Sequence, residues 1–273
     1  MVHFIVALKA EARPLLRHFG MTRSRGAGSM PIYTSASARA RLTVSGVGEP
    51  ASSAAVRAAA GTGRPVAFLN VGIAGHRDLE PGTPLMIHKV TGARDGSVHY
   101  PAFPFSPPCR TDTLITVAEP ELDYPESCAY DMEGSAYFAA ATAASGNELA
   151  HALKVISDNP RHPTSDLSAQ AVEELVGAHL PLLDKLATTL AALAAQVATR
   201  HQQLPLYGEI AGRWHLTHTQ RHQLHRLLQR LQALAPDEPA RVSAELNDGA
   251  LRSGRDVIAF LQHRVRELPF SLP

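Results

Sequence analysis

Short apolar runs alternate with helical patterns through the first two thirds of the chain. Runs typical of buried strands lie at Val2–Leu8, Ile32–Ala38, Ala40–Val47, Val66–Val71, Pro84–Val90, Leu114–Val117 and Leu153–Ile156. Patterns typical of helices lie at Glu11–Phe19, Pro50–Ala60, Met132–Ala144 and Ala169–Arg200. Because strands alternate with helices, and hairpin-like strand pairs interrupt that order, we predict an α/β fold with a single mixed β-sheet flanked by helices on both faces.

The pattern changes near residue 202. The run Gln202–Pro205 is polar and ends in a helix breaker, which favours a linker. Beyond it the apolar positions have helical spacing, over His218–Leu234 and again over Val257–Leu268. We therefore predict two parts: an α/β domain over residues 1–201 and a small all-α C-terminal extension over residues 202–273.

Composition and charge narrow the class of protein. The 273 residues are 45% hydrophobic, which permits a sizeable core and excludes global disorder. With 26 Lys+Arg and 25 Asp+Glu, the net charge of +1 gives no global field that attracts nucleic acid or an anionic membrane. The two cysteines, Cys109 and Cys128, exclude a disulfide scaffold and favour the cytoplasm. Asp184 and Lys185 interrupt the apolar segment Leu180–Val197, so we interpret it as a packed helix and expect no membrane span.

Four short motifs lie where strands are predicted to end or helices to begin. They are Glu11, Gly72–Gly75, Asp131–Gly134 and Ser157-Asp158. Ligands of open α/β sheets bind outside the carboxyl ends of the strands, so Glu11, Glu133 and Asp158 can share one cleft despite their distance in sequence. Each motif alone is also typical of a structural role: Asp131 of a helix N-cap, and the glycines of a turn after a strand.

Taken together, these motifs resemble the purine nucleoside phosphorylase/nucleosidase superfamily, and chiefly its 5'-methylthioadenosine/S-adenosylhomocysteine nucleosidase branch. The matching stretches, in the family's order, are Val6–Glu11, Val44–Gly48, Asn70–Gly75, Asp131–Ala136 and Ile156–Asp158. The Asp-Met-Glu-Gly motif and the Ile-Ser-Asp motif are the more specific signals. The resemblance covers residues 1–200, which are thereby identified as the catalytic domain, and does not extend to the C-terminal residues.

The resemblance implies hydrolysis of the N-glycosidic bond of an adenine-type, 5'-substituted purine nucleoside. It implies two catalytic residues: Asp158, which protonates the leaving base, and Glu11, which activates water. These roles agree with the chemistry, because an oxocarbenium-like transition state needs an acid at the base and a base for the nucleophile.

The resemblance also implies a set of substrate-binding residues. Glu133 is expected to accept hydrogen bonds from the ribose hydroxyls, and Met132 to form an apolar floor under the sugar. Ser157 is expected to orient the acid. Gly72 and Ile73 are expected to bring their backbone close to the ligand, as glycine permits.

Three functions stay open, and hydrolysis is the one we favour. The phosphorylase branch carries a Gly-x-Pro-x-Arg-like segment near the N-terminus, whereas this chain carries Glu11 there and has Ile73 where the family usually has Ser or Thr. The alternatives are a phosphate-dependent nucleoside phosphorylase and a nucleoside-binding protein without turnover on a degenerate nucleosidase fold. Phe103, Phe105 and Tyr124 are candidates for stacking on the base.

We expect a small-molecule nucleoside as the partner, with no cofactor and no metal. His215, His218, His222 and His225 share one polar helix face, which is more typical of solvent exposure than of a metal site. The excess of Arg over acidic residues in the C-terminal extension is too small to predict nucleic-acid binding. The nucleosidase relatives are dimers, so the resemblance also implies a homodimer.

Overall fold

A computed structural model describes residues 1–24, 30–60, 65–202, 204–235, 237–247 and 251–268. The chain forms two compact units, Met1–Ala195 and Gln196–Pro273. The division lies inside the helix Leu180–Gln202 and so before the boundary that the polar run predicts at residue 202. The buried apolar positions of this helix continue as far as Val197.

The described strands of the first unit belong to one mixed sheet. They are β1 (Val2–Val6), β2 (Met21–Arg23), β3 (Ile32–Ser35), β4 (Ala40–Val44), β5 (Ala67–His76), β6 (Pro84–Gly92), β7 (Val98–His99), β8 (Thr111–Thr116), β9 (Ala129–Asp131) and β10 (Ala150–Asp158). All seven predicted strands are present, and β2, β7 and β9 are too short to give a pattern. The prediction of a turn at Gly72–Gly75 is wrong, because these residues continue β5.

Five of these strands close into a ring. β5 pairs with β10, β10 with β6, β6 with β8, β8 with β9, and β9 again with β5. From β5 the sheet continues in parallel through β1 and β4 and ends in the antiparallel strands β3 and β2. The predicted single mixed sheet is confirmed. Since β1, β4, β5 and β10 are parallel, their carboxyl ends lie at the same edge.

Helices flank this sheet. They are α1 (Lys9–His18), α2 (Glu49–Ala59), α3 (Gly134–Ser145) and α4 (Ala169–Gly177), and the long helix α5 (Leu180–Gln202) follows them in the chain. α2 packs on α3 and α1 packs on α4, and both pairs contact the sheet. The start predicted for α3 is wrong by two residues, because Met132 precedes it and Glu133 is its N-cap. The helix α2 begins one residue before the predicted Pro50, and its N-cap is Gly48.

The core of the first unit lies between the sheet and the pair α2 and α3. Ile5 and Phe68 from the strands meet Val56 of α2 and Phe138 of α3, and all four side chains are fully buried. Burying an apolar side chain of this size contributes about 1.5–3 kcal/mol, so this core fixes the strands whose ends carry the polar motifs.

The helix α5 is the longest of the described helices. Its segment Leu180–Ala198 has a mean hydropathy of 1.2 and is long and apolar enough, by length and composition, to cross a membrane. Its buried side chains recur at helical spacing: Leu183, Leu186, Leu190 and Ala194. Exposed Asp184 lies 3.6 Å from His18 of α1, as expected of a helix packed along one face. That no segment spans a membrane stays a prediction.

The second unit has its own core. Its helices after α5 are α6 (Pro205–Arg213), α7 (His218–Leu234), α8 (Glu238–Asn247) and α9 (Gly254–Glu267). The leucine face of α7 packs on α9. Both helices were predicted, whereas α6 and α8 were not. Trp214 is buried in this core and its indole N–H donates to the carbonyl of Leu251 at 3.3 Å.

Candidate active site

Glu11 lies in the first turn of α1, just beyond the carboxyl end of β1. Its side chain is only 2% exposed. Oε2 accepts hydrogen bonds from the backbone N–H groups of Ala7 at 2.9 Å and Leu8 at 2.8 Å. These amides belong to the strand-to-helix turn, so the turn itself fixes the position of the carboxylate.

The neighbouring strand β5 holds the other oxygen of Glu11. Oε1 accepts from the backbone N–H of Ile73 at 3.0 Å. A Cβ atom at Gly72 would lie 2.8 Å from Oε1, so only glycine permits this approach. The amide of Ile73 is thus bonded to Glu11, although it was expected to face the ligand. Burial raises the pKa of Glu11, while the three amides and Lys154 oppose that rise.

Glu133 is the second buried carboxylate, at 8% exposure. Its Oε1 accepts from the backbone N–H of Gly48 at 2.7 Å, which ties the loop after β4 to the start of α3. Burial and then the nearby carboxylates of Asp131 and Glu11 raise the pKa of Glu133 to about 7, although Lys154 and the Gly48 amide oppose the rise. Glu133 therefore titrates near neutral pH.

An ion pair that the sequence motifs do not predict lies beside these groups. Lys154, in the middle of β10, is 1% exposed, and its Nζ lies 2.8 Å from Oδ2 of Asp131. Asp131 also accepts from the Thr116 hydroxyl at 2.8 Å and from the Gly134 amide at 3.0 Å. Asp131 is a strand residue and not the N-cap residue, yet its side chain does bind the first turn of α3. The sequence does contain one sign of this ion pair: Lys154 interrupts the apolar run of the strand Leu153–Ile156.

Asp131, Glu133, Glu11 and Lys154 form an electrostatic unit that we call the carboxylate cluster. Burial alone would lower the pKa of Lys154, but the three carboxylates outweigh it and raise that pKa, so Lys154 is an ammonium. With every member ionised the cluster would carry two negative charges more than positive ones. Such a buried site stabilises positive charge that develops on a bound ligand.

Asp158 ends β10 and is 6% exposed. Its Oδ2 accepts from the hydroxyl of Tyr124 and from that of Thr164, the latter at 2.9 Å, and its Oδ1 accepts from the hydroxyl of Ser157. Ser157 thus contacts Asp158, as its expected orienting role requires. A Cβ atom at Gly75 would lie 2.6 Å from Oδ2, so β5 can approach this carboxyl only with glycine there.

Both predicted catalytic carboxyls contact the strand β5, at glycines three residues apart. Asp158 lies opposite Gly75 of β5, whereas Glu11 packs on Gly72 of the same strand. Three residues of a strand span about 10 Å. Glu11 and Asp158 therefore flank one short segment of β5, at the edge where Glu133 also lies.

The remaining predicted residues do not all lie at the candidate site. Met132 is half-buried and lies between Asp131 and Glu133 in the chain. Of the three aromatic candidates only Tyr124 reaches the site, because Phe103 and Phe105 pack around His151 with ring centroids 5.4 and 5.1 Å away.

A metal site is absent from the described part of the chain. It contains no group of three or more His, Cys, Asp or Glu side chains that could hold a metal ion. That the protein uses no metal and no cofactor stays a prediction.

Comparisons with known proteins identify the fold. No known protein family matches the sequence, and no curated protein matches it. Solved structures do match. The apo form of Arabidopsis thaliana 5'-methylthioadenosine nucleosidase is 19% identical with a TM-score of 0.57, over 71% of this chain and 95% of that chain.

Two further structures come from Helicobacter pylori. The 5'-methylthioadenosine/S-adenosylhomocysteine nucleosidase with butyl-thio-DADMe-Immucillin-A is 13% identical with a TM-score of 0.54, over 69% of this chain and 97% of that chain. A futalosine hydrolase mutant is 13% identical with a TM-score of 0.53, over 69% and 98%. The chain therefore has the fold that these nucleosidase and futalosine hydrolase structures share.

Proposed function

We propose that this protein is an N-ribosyl hydrolase that cleaves the N-glycosidic bond of a purine nucleoside and releases the free base. The observation that carries the proposal is the set of three buried carboxyls, Glu11, Glu133 and Asp158, at one edge of the sheet. The shared fold supports it, because the neighbouring structures are named as nucleosidases and as a futalosine hydrolase.

Asp158 is proposed as the acid at the base. When the bond between the ribosyl carbon and the base nitrogen breaks, the electron pair stays with the base. A proton from Asp158 then neutralises a purine ring nitrogen, so the base leaves as a neutral molecule. A positioned acid typically contributes about 10²–10⁴-fold to such a step.

Glu11 is proposed as the base that activates water. A carboxylate has about four acceptor positions, and backbone amides occupy three of those on Glu11. The remaining position, on Oε1, is available to a water molecule. Burial raises the pKa of Glu11, which makes its carboxylate a stronger base toward water.

Glu133 is proposed to bind the ribose hydroxyls, with Met132 under the sugar. Only Oε1 of Glu133 has a described hydrogen bond, to Gly48, so Oε2 remains for the hydroxyls. The carboxylate cluster stabilises the positive charge that builds on the ribose as the base leaves.

Water is favoured over phosphate as the nucleophile by the charge of the site. Lys154 is paired with Asp131, and the surplus charge of the carboxylate cluster is negative. An incoming phosphate would meet that repulsion, whereas neutral water does not. An adenine-type base, a 5' substituent, a homodimer and a cytoplasmic location are further parts of the proposal and rest on the family resemblance.

An assay of free-base release distinguishes the hydrolase from the phosphorylase and from the binding protein without turnover. Purine nucleosides with different 5' groups, methylthioadenosine among them, are incubated with and without phosphate, and free base is measured by chromatography. We expect release without phosphate, and at least a 100-fold loss in Asp158→Asn and in Glu11→Gln. Asp184→Asn, at an exposed aspartate, is the matched control and should keep full activity.

Each other outcome favours one alternative. Release that requires phosphate would establish a phosphorylase. Thermal stabilisation by a nucleoside, without any release of base, would establish a binding protein without turnover.

A further inference from the structure

Tyr124 is held in an unusual backbone conformation beside Asp158. It lies in the loop between β8 and β9, is 3% exposed, and has a φ of 46°. Among the described residues only Ala38 and Tyr124 have a positive φ without being glycine. Because this conformation is disfavoured for a bulky side chain, contacts of Tyr124 must hold it there.

Those contacts come from three directions. The hydroxyl donates to Oδ2 of Asp158. The ring packs edge-on against Tyr130, with centroids 5.9 Å apart, in a small buried cluster that includes Cys128. On the third side, a Cβ atom at Gly75 would lie 2.6 Å from Cε1 of Tyr124, so the missing side chain makes room for the ring.

The Tyr124 hydroxyl acts as a donor to this carboxyl. Burial and then the hydrogen bond to Asp158 raise the pKa of Tyr124 to about 12, so the phenol keeps its proton at neutral pH. Thr164 supplies a second hydroxyl to the same oxygen at 2.9 Å. Ser157 supplies one hydroxyl to the other oxygen, Oδ1.

This arrangement makes the two oxygens of Asp158 different. Each carboxyl oxygen has two lone-pair positions, and both of those on Oδ2 are occupied, whereas Oδ1 keeps one. We propose, on the basis of the proposed function, that Tyr124 is a positioning residue: with Thr164 it saturates Oδ2, so that Oδ1 carries the proton that Asp158 delivers to the base.

The hydrogen bond from Tyr124 to Asp158 has its effect in the transition state. The Oδ1–H bond breaks as the base nitrogen takes the proton and the electron pair of the breaking N-glycosidic bond. Negative charge appears on Asp158, and the hydrogen bond from Tyr124 strengthens because its acceptor becomes charged. Water adds to the ribosyl carbon and gives a proton to Glu11. One proton is therefore delivered to the base by Asp158, and one is taken up from water by Glu11. Only an interaction that strengthens in this way raises the rate of the step.

The test uses two ribosides that differ in their need for an acid. A purine nucleoside that the protein cleaves needs protonation of its base, whereas p-nitrophenyl β-D-ribofuranoside has a leaving group that departs as a stable anion. Tyr124→Phe removes only the hydroxyl. We expect kcat for the purine nucleoside to fall about 10–100-fold and kcat for the p-nitrophenyl riboside to change less than about threefold.

Two companion variants separate positioning from folding. Thr164→Val removes the other donor to Oδ2 from a half-exposed site and should give the same selective loss, although smaller. Tyr130→Phe changes the same buried cluster at a hydroxyl that contacts Glu126 and not Asp158, and should leave both activities unchanged.

The outcomes are distinguishable. A Tyr124→Phe variant that loses both activities equally, or neither, overturns the positioning role while the hydrolase stands. Wild-type protein that cleaves neither riboside overturns the proposed function, and the positioning role with it.

Discussion

Ionisation of Glu133 should weaken the folded state as the pH rises, and Glu133→Gln should remove that effect. The pKa of Glu133 is about 7 in the folded chain and 4.5 as an ordinary value. Between these values the folded state binds more protons than the unfolded state, so stability falls as the pH rises from about 4.5 to about 7 and stays reduced above it.

The magnitude follows from the same two pKa values. The difference between 4.5 and about 7 corresponds to about 3 kcal/mol of free energy of unfolding at pH 8, where both states are ionised. At pH 5 the same linkage gives less than about 1 kcal/mol, because the folded state is still protonated. Both free energies are upper values, because the repulsion that raises the pKa of Glu133 is shared with Asp131 and Glu11. Glutamine keeps the shape and the acceptor for the Gly48 amide without the charge.

Thermal unfolding at pH 5 and pH 8 measures the effect. One kcal/mol shifts the midpoint by about 2–4 °C in a domain of this size, so Glu133→Gln should unfold up to about 6–12 °C above the wild type at pH 8. At pH 5 the gain should be below about 3 °C. Glu119→Gln, at an exposed glutamate, is the matched control. An equal gain at both pH values, or a variant less stable than the wild type at pH 8, would refute the reasoning.

Three further changes test other parts of the structure. Gly72→Ala places a Cβ atom 2.8 Å from Oε1 of Glu11 and should lower the rate of base release about 10–100-fold, and an unchanged rate would contradict a catalytic Glu11. Lys154→Met leaves Asp131 buried without its cation and should cost about 3–5 kcal/mol in urea unfolding at pH 7, where a loss under about 1 kcal/mol would argue against the ion pair. Ser253→Ala removes the N-cap of α9 and should lower the free energy of unfolding of the second unit by about 1 kcal/mol. Fluorescence of the single tryptophan measures this unfolding, because Trp214 lies in the core of that unit.

Sequence patterns were sufficient for elements whose periodicity is local. The strand β1 and the helix α7 follow their apolar positions closely, α7 beginning and ending at the predicted residues. The patterns were insufficient for short elements such as β9, because three residues cannot show a period. The glycines at Gly72–Gly75 misled the turn prediction, since their role is to admit the side chains of other elements.

The candidate site shows the same division. The motifs identified Glu11, Glu133 and Asp158 and placed them at strand or helix ends. They did not identify Lys154, whose partner Asp131 lies on another strand, nor connect Tyr124 with Asp158. Both contacts join residues far apart in sequence, so the local pattern of apolar and polar positions does not predict them.

The sequence by itself determined the seven longer strands, the helices with a clear apolar period, the mixed α/β class and the carboxyl groups, because these depend on apolar periodicity and residue type along neighbouring positions. Only the tertiary structure decided the raised pKa values of Glu11 and Glu133 and the hydrogen-bond partners of the carboxyl groups. Closure of β5, β10, β6, β8 and β9 into a ring brings Asp131 of β9 beside Lys154 of β10, and both side chains are buried there. Burial and charge at close range set a pKa, and both arise only when distant strands meet.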